Sequence, residues 1–401
     1  MAASGPLIGL KVIELAHIMA GPVCGQLLAD MGADVIKVEK APDGDDTRRM
    51  VPPEVDGESA AFMILNRNKR GTAINLKSAA GKDVVRRLLS DADVVIENYR
   101  VGTMERLGLG YEALRQLNPG LIYCQITGFG RTGPYADRPG FDLIAQGMSG
   151  LMSVTGEGAG RPPIKAGVPV GDISAGMLAA MGILAAYIHR LKTGEGQLVD
   201  TSLLEGSIAN TAWVSAIFLA TGISPQALGS AHPMAAPYQA LQTADGWINI
   251  GAANQANWLR LVEVIDMPEL ADDARFVDNA MRMKNLTALV EILSERFKQR
   301  RTVDWLARLE AVGVPASPVL SIGDMLEDPQ VIARDMVVEV PHSRLGQTRA
   351  LGSPVKFSLT PTRISRGAPL LGEHTREILA EYGYDNGEIE ALAAAGDVIL
   401  R

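Results

Sequence analysis

Short β-branched runs alternate with helical patterns over the first 200 residues, and this alternation constrains the fold more than any other feature of the sequence. Four runs predict strands: Lys11–Leu15, Asp34–Val38, Asp93–Ile96 and Leu121–Ile126. Helical patterns lie between them, at 22–31, 82–90 and 111–117. Strands that alternate with helices are typical of βαβ units and a parallel sheet. The sequence therefore predicts an α/β fold with a Rossmann-like large domain.

The length of 401 residues predicts more than one domain, because single hydrophobic cores stop growing well below this size. The stretch 221–237 is irregular and contains Gly and Pro, which indicates a linker region. The predicted division is 1–200 for the first part of the large domain, 201–224 for a linker, 225–318 for a small α+β domain, 319–369 for a return linker, and 370–401 for C-terminal helices that rejoin the large domain.

Charge and hydropathy exclude several classes of function. A formal net charge of -8 argues against a general nucleic-acid binder, which needs a basic face. The first residues lack the basic and apolar regions of a signal peptide. The most apolar stretch, Met177–Ile188, falls short of the ~20 residues that a bilayer requires. We expect a cytoplasmic protein that neither binds nucleic acid nor enters a membrane.

The cysteines and histidines predict no metal site. Cys24 and Cys124 have neither metal-ligand spacing nor the arrangement of a disulfide framework. Each is interpreted as a small core residue of a reduced protein. No two of the five histidines have the spacing of a metal motif.

The turn after the first predicted strand, Ala16–Pro22, has features of a nucleotide site. A Gly-Pro turn between strand and helix exposes N–H groups that favour phosphate. Glu39 ends the second strand, as an acidic residue does in dinucleotide-binding folds. However, Gly21 and Gly25 form G-x-x-x-G and not the G-x-G-x-x-G fingerprint. A purely structural turn and a nucleotide site both stay open at this point, and NAD binding is weakly supported.

Asp172 precedes an apolar helical pattern and has two compatible interpretations. It is placed as a helix N-cap, whose carboxylate accepts from free N–H groups of the first turn. The helix dipole would also keep it ionised, and covalent catalysis needs an ionised carboxylate. Gly171 beside it would permit close approach of a ligand.

Basic residues are scattered where a long phosphorylated ligand could use them, although most such residues are solvated surface charges. They are Lys40, Arg48, Arg49, Lys69, Arg70, Lys77, Arg100, Arg106 and Arg138. The polar cluster Asn66–Arg70 follows an apolar run and so lies at the end of an element. Binding residues concentrate at such ends, which makes this cluster a candidate binding segment.

Short segments in order along nearly the whole chain carry a resemblance to a known family. The segments are His17–Pro22, Gly32–Glu39, Gly44–Arg48, Asn66–Arg70, Glu97–Gly102, Gly108–Tyr111, Asn118–Gly120, Thr127–Gly130, Gly140–Asp142, Gly171–Asp172 and Lys192–Gln197. They resemble the class III CoA-transferases, the family of formyl-CoA transferase and carnitine CoA-transferase. Each segment alone is weak, but the ordered set is specific.

The resemblance implies that Asp172 is the nucleophile. Its carboxylate would attack a donor thioester to give an acyl-aspartyl anhydride and a CoA thiolate. The thiolate would then attack to give an aspartyl-CoA thioester, and an acceptor acid would reverse the sequence. Water must be excluded while these intermediates live. Coenzyme A and acyl-CoA are then substrates, and no tightly bound cofactor is expected.

The resemblance also implies a set of CoA contacts and an assembly. The contacts are His17, Met19, Ala20, Lys40, Ile74, Lys77, Asn98 and Arg106. Lys40 stands where relatives often have Arg, so a phosphate contact there would be less forked. The glycine-rich flap of formyl-CoA transferase corresponds to Gly251–Gln255, which has one glycine; Gly251 and Gln255 are therefore candidate substrate contacts. The family implies an interlocked homodimer.

Substrate residues are implied by likeness to particular members of the family. Gly44–Arg48 and Ser149–Met152 look most like members that use succinyl-CoA and short dicarboxylic acids. We expect Arg48 or Arg49 to pair with the distal carboxylate of the substrate, because a guanidinium binds a carboxylate in a bidentate way. Phe141 and Asp142 are further candidates for the substrate site.

Three alternatives remain. A 2-methylacyl-CoA racemase on the same fold would need a catalytic histidine before Asp142, and Phe141 cannot shuttle a proton. An NAD-dependent dehydrogenase lacks its glycine fingerprint here. A non-catalytic acyl-CoA-binding protein would not need the Gly171–Asp172 motif.

Overall fold

A computed structural model describes residues 5–158 and 160–401 of the chain. The described residues divide into two compact units. The large unit contains residues 5–151, Ala166–Thr211 and Pro329–Arg401, and the small unit contains Met152–Lys165, apart from residue 159, and Ala212–Asp328. The large unit is therefore assembled from three separate segments of the chain.

The strands of the described residues are, in chain order, β1 Lys11–Glu14, β2 Asp34–Lys40, β3 Glu54–Val55, β4 Glu58–Ser59, β5 Arg70–Ile74, β6 Val94–Glu97, β7 Ile122–Thr127, β8 Leu198–Ser202, β9 Tyr238–Gln242, β10 Trp247–Gly251, β11 Ala316–Pro318, β12 Val337–His342, β13 Gly346–Leu351 and β14 Val398–Ile399.

The α-helices of the described residues are α1 Ala20–Asp30, α2 Ala60–Asn66, α3 Ala79–Ser90, α4 Thr103–Leu107, α5 Tyr111–Leu117, α6 Asp142–Met148, α7 Leu151–Val154, α8 Val170–Thr193, α9 Leu203–Ala209, α10 Ala212–Thr221, α11 Gln255–Val264, α12 Asn279–Lys284, α13 Leu286–Phe297, α14 Thr302–Ala311, α15 Ile322–Leu326, α16 Pro329–Ala333, α17 Thr375–Glu381 and α18 Asn386–Ala394. The described part of the chain also contains 3₁₀-helices at Asp46–Arg49 and Pro268–Ala271.

The large unit is organised around a seven-stranded sheet with the order β14-β5-β2-β1-β6-β7-β8. Neighbouring strands are parallel, except that β14 runs antiparallel to β5. From β1 the sheet grows in both directions, which is the strand order of dinucleotide-binding folds. Ligands of such sheets bind where the order reverses, in the crevice beyond the carboxyl ends of the strands, here those of β1 and β6. The prediction of an α/β fold with a mainly parallel sheet is confirmed.

Each face of this sheet is covered by helices, because alternate strand residues point to opposite faces. Val12 and Val94 pack on one face with α1 and α8, and this core contains both cysteines, buried as predicted. Ile13 and Val95 pack on the other face with α3, α5, α17 and α18. Both faces of a parallel sheet are normally covered in this way.

Helix α8 is longer than the predicted apolar stretch. It runs for 24 residues, and among the described residues it is long and apolar enough to cross a bilayer by length and composition alone. The helix extends beyond Met177–Ile188 because small residues before this stretch and longer polar residues after it continue the helix. One face of α8 is buried against α1 and the sheet, through Ala175, Ala179, Ala180, Ile183 and Ala186. This packing makes α8 a covering helix of the sheet.

The small unit has its own core. Strands β9, β10 and β11 form an antiparallel sheet, with Ile248 and Ile250 of β10 pointing into the core. Trp258, Phe297 and Trp305 come from α11, α13 and α14 and are fully buried there. The unit thus has an α+β composition.

The unit boundaries differ from the predicted division. Residues 201–224, predicted as a linker, contain α9 and α10, and α10 belongs to the small unit. The turn residues of 221–237 suggested a linker, but the apolar run before them forms a helix. Residues 319–369, predicted as a return linker, contain α15, α16 and the hairpin β12–β13, and the large unit resumes at Pro329.

Candidate active site

The crevice at the carboxyl ends of β1 and β6 is built by a turn that an asparagine side chain holds. The Asn98 side chain follows β6; its Oδ1 accepts from the backbone N–H of His17 at 2.9 Å and its Nδ2 donates to the His17 carbonyl at 2.8 Å. Ile18 has a φ of 64°, in the left-handed region. Asp45 Oδ1 accepts from the backbone N–H of Ile18 at 3.2 Å. The turn before α1 is therefore fixed from two sides.

The glycines of the G-x-x-x-G segment make room for neighbouring groups in the structure. A Cβ on Gly21 would lie 2.1 Å from the Cβ of Ala16, and a Cβ on Gly25 would lie 1.9 Å from Glu14 Oε2. Glycine is needed at both positions so that α1 can pack closely on β1. The segment therefore has a structural role, and it does not match the phosphate fingerprint.

A small cleft opens at this point, lined by Ala16, His17, Val38, Glu39, Lys40, Gly44, Asp45 and Tyr99. The His17 and Tyr99 rings lie 5.5 Å apart. Burial lowers the pKa of His17, despite the nearby carboxylates of Asp45 and Asp46. Lys40 ends β2, is half-exposed, and its Nζ lies 2.6 Å from Asp46 Oδ1. The structure thus brings the predicted CoA contacts His17, Lys40 and Asn98 to one edge of the sheet.

The other predicted CoA contacts lie near the same edge, but one of them is buried. Met19 and Ala20 follow the turn directly, and Lys77 is exposed in the loop after β5. Arg106 is exposed on α4, after β6, where it donates to Thr103 Oγ1. Ile74, in contrast, is fully buried in the core. Its side chain offers no surface to a ligand, so burial opposes the predicted contact there.

Asp172 lies in the first turn of α8, but it does not cap that helix. Pro169 occupies the N-cap position without a side-chain bond. Asp142 Oδ1 instead accepts from the N–H groups of Gly171 at 2.8 Å and of Asp172 at 3.4 Å. The N-cap interpretation of Asp172 is therefore wrong, because the carboxylate of Asp142, at the start of α6, already satisfies these donors.

Asp142 is itself held by a buried amide. Gln146 is fully buried one turn later in α6, and its Nε2 donates to Asp142 Oδ2 at 2.6 Å. Gln146 Oε1 accepts from the N–H of Ala166 at 2.9 Å. Both oxygens of Asp142 therefore have partners, and the carboxylate is fixed beside the first turn of α8.

Burial, together with the charge of Asp142, raises the pKa of Asp172 to about 7. The expectation that the helix dipole would favour ionisation is not met, since Asp142 already occupies the N–H groups that carry the positive end of that dipole. A carboxyl group perturbed by burial and by a second carboxylate is typical of functional sites. Asp172 is deprotonated in a large fraction of molecules near neutral pH, yet more basic than an ordinary aspartate.

Close contacts tie the start of α8 to the crevice. A Cβ on Gly171 would lie 2.7 Å from Ser207 Oγ and 3.0 Å from Asp142 Oδ1. One turn after Asp172, a Cβ on Gly176 would lie 2.6 Å from the Ala20 carbonyl oxygen. Asp172, the predicted nucleophile, is therefore one helical turn away from Gly176, which packs against Ala20, the first residue of α1.

The predicted substrate arginines have internal partners. Arg48 makes a bidentate ion pair with Glu39, at 2.6 and 2.7 Å, and its guanidinium stacks on Phe62. Substrate binding by Arg48 therefore has no support from the geometry. Arg49 is half-exposed and pairs with Asp46, so the prediction for Arg49 stays open. Phe141 is largely exposed beside Asp142.

The cluster Asn66–Arg70 makes internal contacts. Arg67 pairs with Asp30 at 2.6 Å, Lys69 with Glu14 at 2.8 Å, and Arg70 with Asp34 at 2.6 Å. Asn66 and Asn68 bond to neighbouring side chains and carbonyls. The interpretation as a binding segment is not supported, because these side chains link β5 to the rest of the large unit.

Gly251 and Gln255 lie in the small unit, where β10 ends and α11 begins. Asn254 caps α11 by accepting from the N–H of Asn257. Gln255 Nε2 donates to the Val277 carbonyl, and its Oε1 accepts from Arg282. A flap role for this segment stays a prediction.

Sequence reasoning missed a group of buried charges below the crevice. Glu14, Lys37 and Glu97 are fully buried near the carboxyl ends of β1, β2 and β6. Burial raises the pKa of Glu97 to about 8, and its carboxylate accepts from the Tyr99 N–H and the Tyr123 hydroxyl. The sequence does contain a signal for these buried charges, because a charged residue within or at the end of a run of Val and Ile is unusual for a buried strand.

Comparisons with known proteins identify the family. The family model described as CoA-transferase family III matches residues 7–375. A succinate–glutarate CoA-transferase of Agrobacterium fabrum is 45% identical, over 94% of this chain and 95% of the relative. A succinyl-CoA:mesaconate CoA-transferase of Haloarcula marismortui is 40% identical, over 96% and 98%.

A solved structure shares the fold over nearly the whole chain. The crystal structure of a CAIB/BAIF family protein from Brucella suis is 44% identical and superposes with a TM-score of 0.84, covering 94% of this chain and all of that one. The family match, the relatives and the fold all agree with the resemblance in the sequence. The chain belongs to CoA-transferase family III and is a class III CoA-transferase.

Proposed function

We propose that this enzyme transfers CoA from succinyl-CoA to a short dicarboxylic acid, with Asp172 as the nucleophile. The observation that carries the proposal is the half-buried carboxyl group of Asp172, beside Asp142 at the start of α8. One turn later in α8, Gly176 packs against Ala20, at the edge of the sheet where His17, Lys40 and Asn98 lie; we call this edge the CoA edge. Relatives named for succinate, glutarate and mesaconate support the substrate class.

The reaction proceeds in two halves. The Asp172 carboxylate attacks the succinyl thioester carbon, which forms a mixed anhydride and releases the CoA thiolate. The thiolate attacks the aspartyl carbonyl of that anhydride, releases succinate and leaves an aspartyl-CoA thioester. The acceptor carboxylate then attacks this thioester, which forms a second mixed anhydride and releases the CoA thiolate. The thiolate attacks the acceptor's acyl carbon of that anhydride, forms the acceptor's CoA thioester and releases the carboxylate of Asp172. The Asp172 carboxylate is regenerated, and no acyl activation is lost to water.

Each group of the site has a task in this sequence. The raised pKa of Asp172 makes its carboxylate a better nucleophile than an ordinary aspartate, while about 7 still leaves it ionised in a substantial fraction of molecules. Asp142 and Gln146 fix the first turn of α8. His17, Lys40, Asn98, Lys77 and Arg106 form the edge along which we place the CoA chain.

A homodimer, interlocked as in the family, is part of the proposal. The face of α8 that points away from the sheet exposes Met177, Met181, Ile188 and Leu191, each by more than half. These positions recur with helical spacing, so they form one apolar stripe. A contiguous exposed apolar surface marks an interaction site, and a second copy of this chain is the proposed occupant.

Trapping of the intermediate tests the reaction. The protein is incubated with succinyl-CoA, quenched with hydroxylamine, and its peptides are analysed by mass spectrometry for a hydroxamate at Asp172. Hydroxylamine captures activated acyl groups, so the modification is expected with succinyl-CoA and not without it. Asp304→Asn, an exposed first-turn substitution on α14, serves as the unaffected control. Silence with a broad set of acyl-CoA thioesters would overturn the reaction class.

The acceptor is tested separately. Glutarate, mesaconate, citramalate, oxalate and a monocarboxylate of matched length are offered with succinyl-CoA, and the new thioester is followed by chromatography. We expect transfer to dicarboxylates in preference to the monocarboxylate. Equal transfer to the monocarboxylate would remove the dicarboxylate assignment and leave the reaction class intact.

A further inference from the structure

Four buried charged side chains lie directly below the CoA edge of the sheet, and we call them the buried charge cluster: Glu14, Lys37, Asp45 and Lys69. All four are fully or almost fully buried. Lys37 Nζ lies 3.0 Å from Glu14 Oε1 and 2.9 Å from Asp45 Oδ2, and Lys69 Nζ lies 2.8 Å from Glu14 Oε2. The two cations and two anions form one continuous network.

Stability alone does not explain such a cluster. Desolvation costs several kcal/mol for each buried ion, and well-packed apolar residues of similar volume are often as stabilising as a buried ion pair. A role for the cluster other than stability is therefore sought in the hydrogen bonds that it makes to the backbone.

Those contacts converge on one segment, residues 16–22. Lys37 Nζ donates to the Ala16 carbonyl at 2.9 Å, and Lys69 Nζ donates to the Pro22 carbonyl at 2.9 Å. Asp45 Oδ1 accepts from the Ile18 N–H at 3.2 Å. The cluster is thus hydrogen-bonded to the backbone of this segment at Ala16, at Ile18 and at Pro22.

The middle of the segment needs this support. Ile18 is β-branched and has a φ of 64°, a conformation that residues with a Cβ atom, and β-branched residues above all, avoid. Its N–H is held by Asp45, which is in turn fixed by Lys37 and by the hydroxyl and N–H of Thr47. Without the Asp45 acceptor, Ile18 is free to relax to an ordinary conformation, which would rotate the peptides on either side of it.

We infer that Asp45 and Lys37 are positioning residues for CoA, which act by holding the His17–Ala20 turn and do not touch the substrate. The inference rests on the proposed function, because that turn is where CoA is placed. It assigns the buried charges to the geometry of the ligand site. It also explains Gly25, since any side chain there would collide with the Glu14 carboxylate.

Three variants test the inference through equilibrium binding of free CoA, measured by calorimetry. Asp45→Ala removes the acceptor for the Ile18 N–H. CoA is expected to bind at least about 10-fold more weakly, because the strained turn then relaxes away from the conformation that binds CoA. Asp45→Asn keeps an oxygen at the same place, and CoA affinity is expected to stay within about 3-fold of the parent. Asp30→Ala is the matched control, because it breaks an equally buried ion pair, with Arg67, in the same unit.

Asp30→Ala is expected to lower the Tm and to leave CoA affinity unchanged. If it weakens CoA as much as Asp45→Ala does, the effect is general destabilisation and the inference is overturned. Normal CoA affinity in Asp45→Ala overturns it as well.

A further pair of variants keeps the test decisive if Asp45→Ala does not fold. Ile18→Pro leaves the buried charges intact but forbids a positive φ and removes the N–H. It is expected to weaken CoA binding about as much as Asp45→Ala, and Ile18→Gly, which adopts the left-handed region without strain, is expected to bind normally. Tight CoA binding by Ile18→Pro would overturn the inference.

Hydroxamate trapping on the parent enzyme distinguishes a failure of the positioning role from a failure of the proposed function. If trapping at Asp172 succeeds and both Asp45→Ala and Ile18→Pro bind CoA normally, the positioning role alone is wrong. If CoA does not bind the parent enzyme, the proposed function itself is wrong.

Discussion

Asp45 and Asp172 are two carboxylates of the large unit, and each lies at the start of a helix; Asp45 is buried and Asp172 is half-buried. Burial acts to raise the pKa of both. Beside Asp45, the Lys37 ammonium and the donors of Thr47 reverse this effect, so the pKa of Asp45 falls below its ordinary value. Beside Asp172 the nearest charge is a second carboxylate, Asp142, and the pKa rises to about 7. The neighbouring charge, and not burial, therefore decides the direction in which the pKa of each carboxyl group moves.

The largest expected difference between the two carboxylates is in catalysis. Asp172→Asn should reduce kcat by at least about 10³-fold, because an amide cannot form the anhydride and removal of a nucleophile has effects of this size. CoA-transfer assays with succinyl-CoA and glutarate measure it. Asp45→Asn should retain kcat within about 5-fold, since that group does not react. Comparable losses of kcat in both variants would break the comparison.

The next effect is a loss of stability at Asp45. The folded-state pKa of Asp45 is lowered, so its contribution is present above the ordinary pKa of 3.8 and is lost as the pH falls through the lower folded value. Asp45→Asn at pH 7 leaves Lys37 with one anionic partner fewer and should cost about 3 kcal/mol of unfolding free energy. Urea unfolding at pH 7 measures it, and an unchanged free energy would contradict the role of the ion pair.

At Asp172 the stability effect should have the opposite sign. Its folded pKa of about 7 lies above 3.8, so its contribution to stability is full below 3.8 and is lost as the pH rises through about 7. Asp172→Asn should therefore be more stable than the parent at pH 8, by up to ~4 kcal/mol, and similar to it near pH 4. Unfolding at the two pH values decides the point. If the difference in unfolding free energy between Asp172→Asn and the parent is the same at pH 4 and pH 8, the pKa of the Asp172 carboxyl group is not raised.

The smallest effect isolates Asp142. Asp142→Asn removes the neighbouring negative charge, keeps an oxygen for the helix N–H groups, and should move the acidic limb of the pH profile of kcat/KM to lower pH, by roughly one unit. The limb reflects Asp172, which must be ionised to attack. Asp304→Asn again serves as a control that leaves the profile unchanged. An upward shift would assign the limb to another group.

The sequence predicted the sheet and the place of Asp172 at the start of an apolar helix, but not the electrostatics around them. The strands, the turn after β1 and the position of Asp172 followed from short local patterns and from ordered motifs. The cap of α8 was assigned to Asp172, whereas the real cap, Asp142, lies thirty residues earlier. A local pattern cannot show which distant group reaches a helix end first.

The same limit explains the basic residues. Arg48, Arg67 and Lys69 looked available because their partners are not neighbours in sequence; Lys69 meets Glu14 across 55 positions, from two different elements. Only the strand order brings such pairs together. Charged residues embedded in apolar strands were a usable signal that the first strand and its neighbour carry a buried network.

The three-segment construction of the large unit has a consequence for biosynthesis. The face of the sheet that carries Ile13 and Val95 is completed by Ile378, Leu379, Ile389 and Val398. More than 300 residues separate Ile74 from its strand partner Val398. On the ribosome, the part of this apolar sheet face that α17, α18 and β14 cover therefore stays exposed until these elements emerge, although α3 and α5 can cover the rest earlier. The small unit's core, drawn almost entirely from 236–316, is by then already complete. The nascent chain is expected to depend on chaperones mainly during that interval, when the sheet is formed but its final cover is missing.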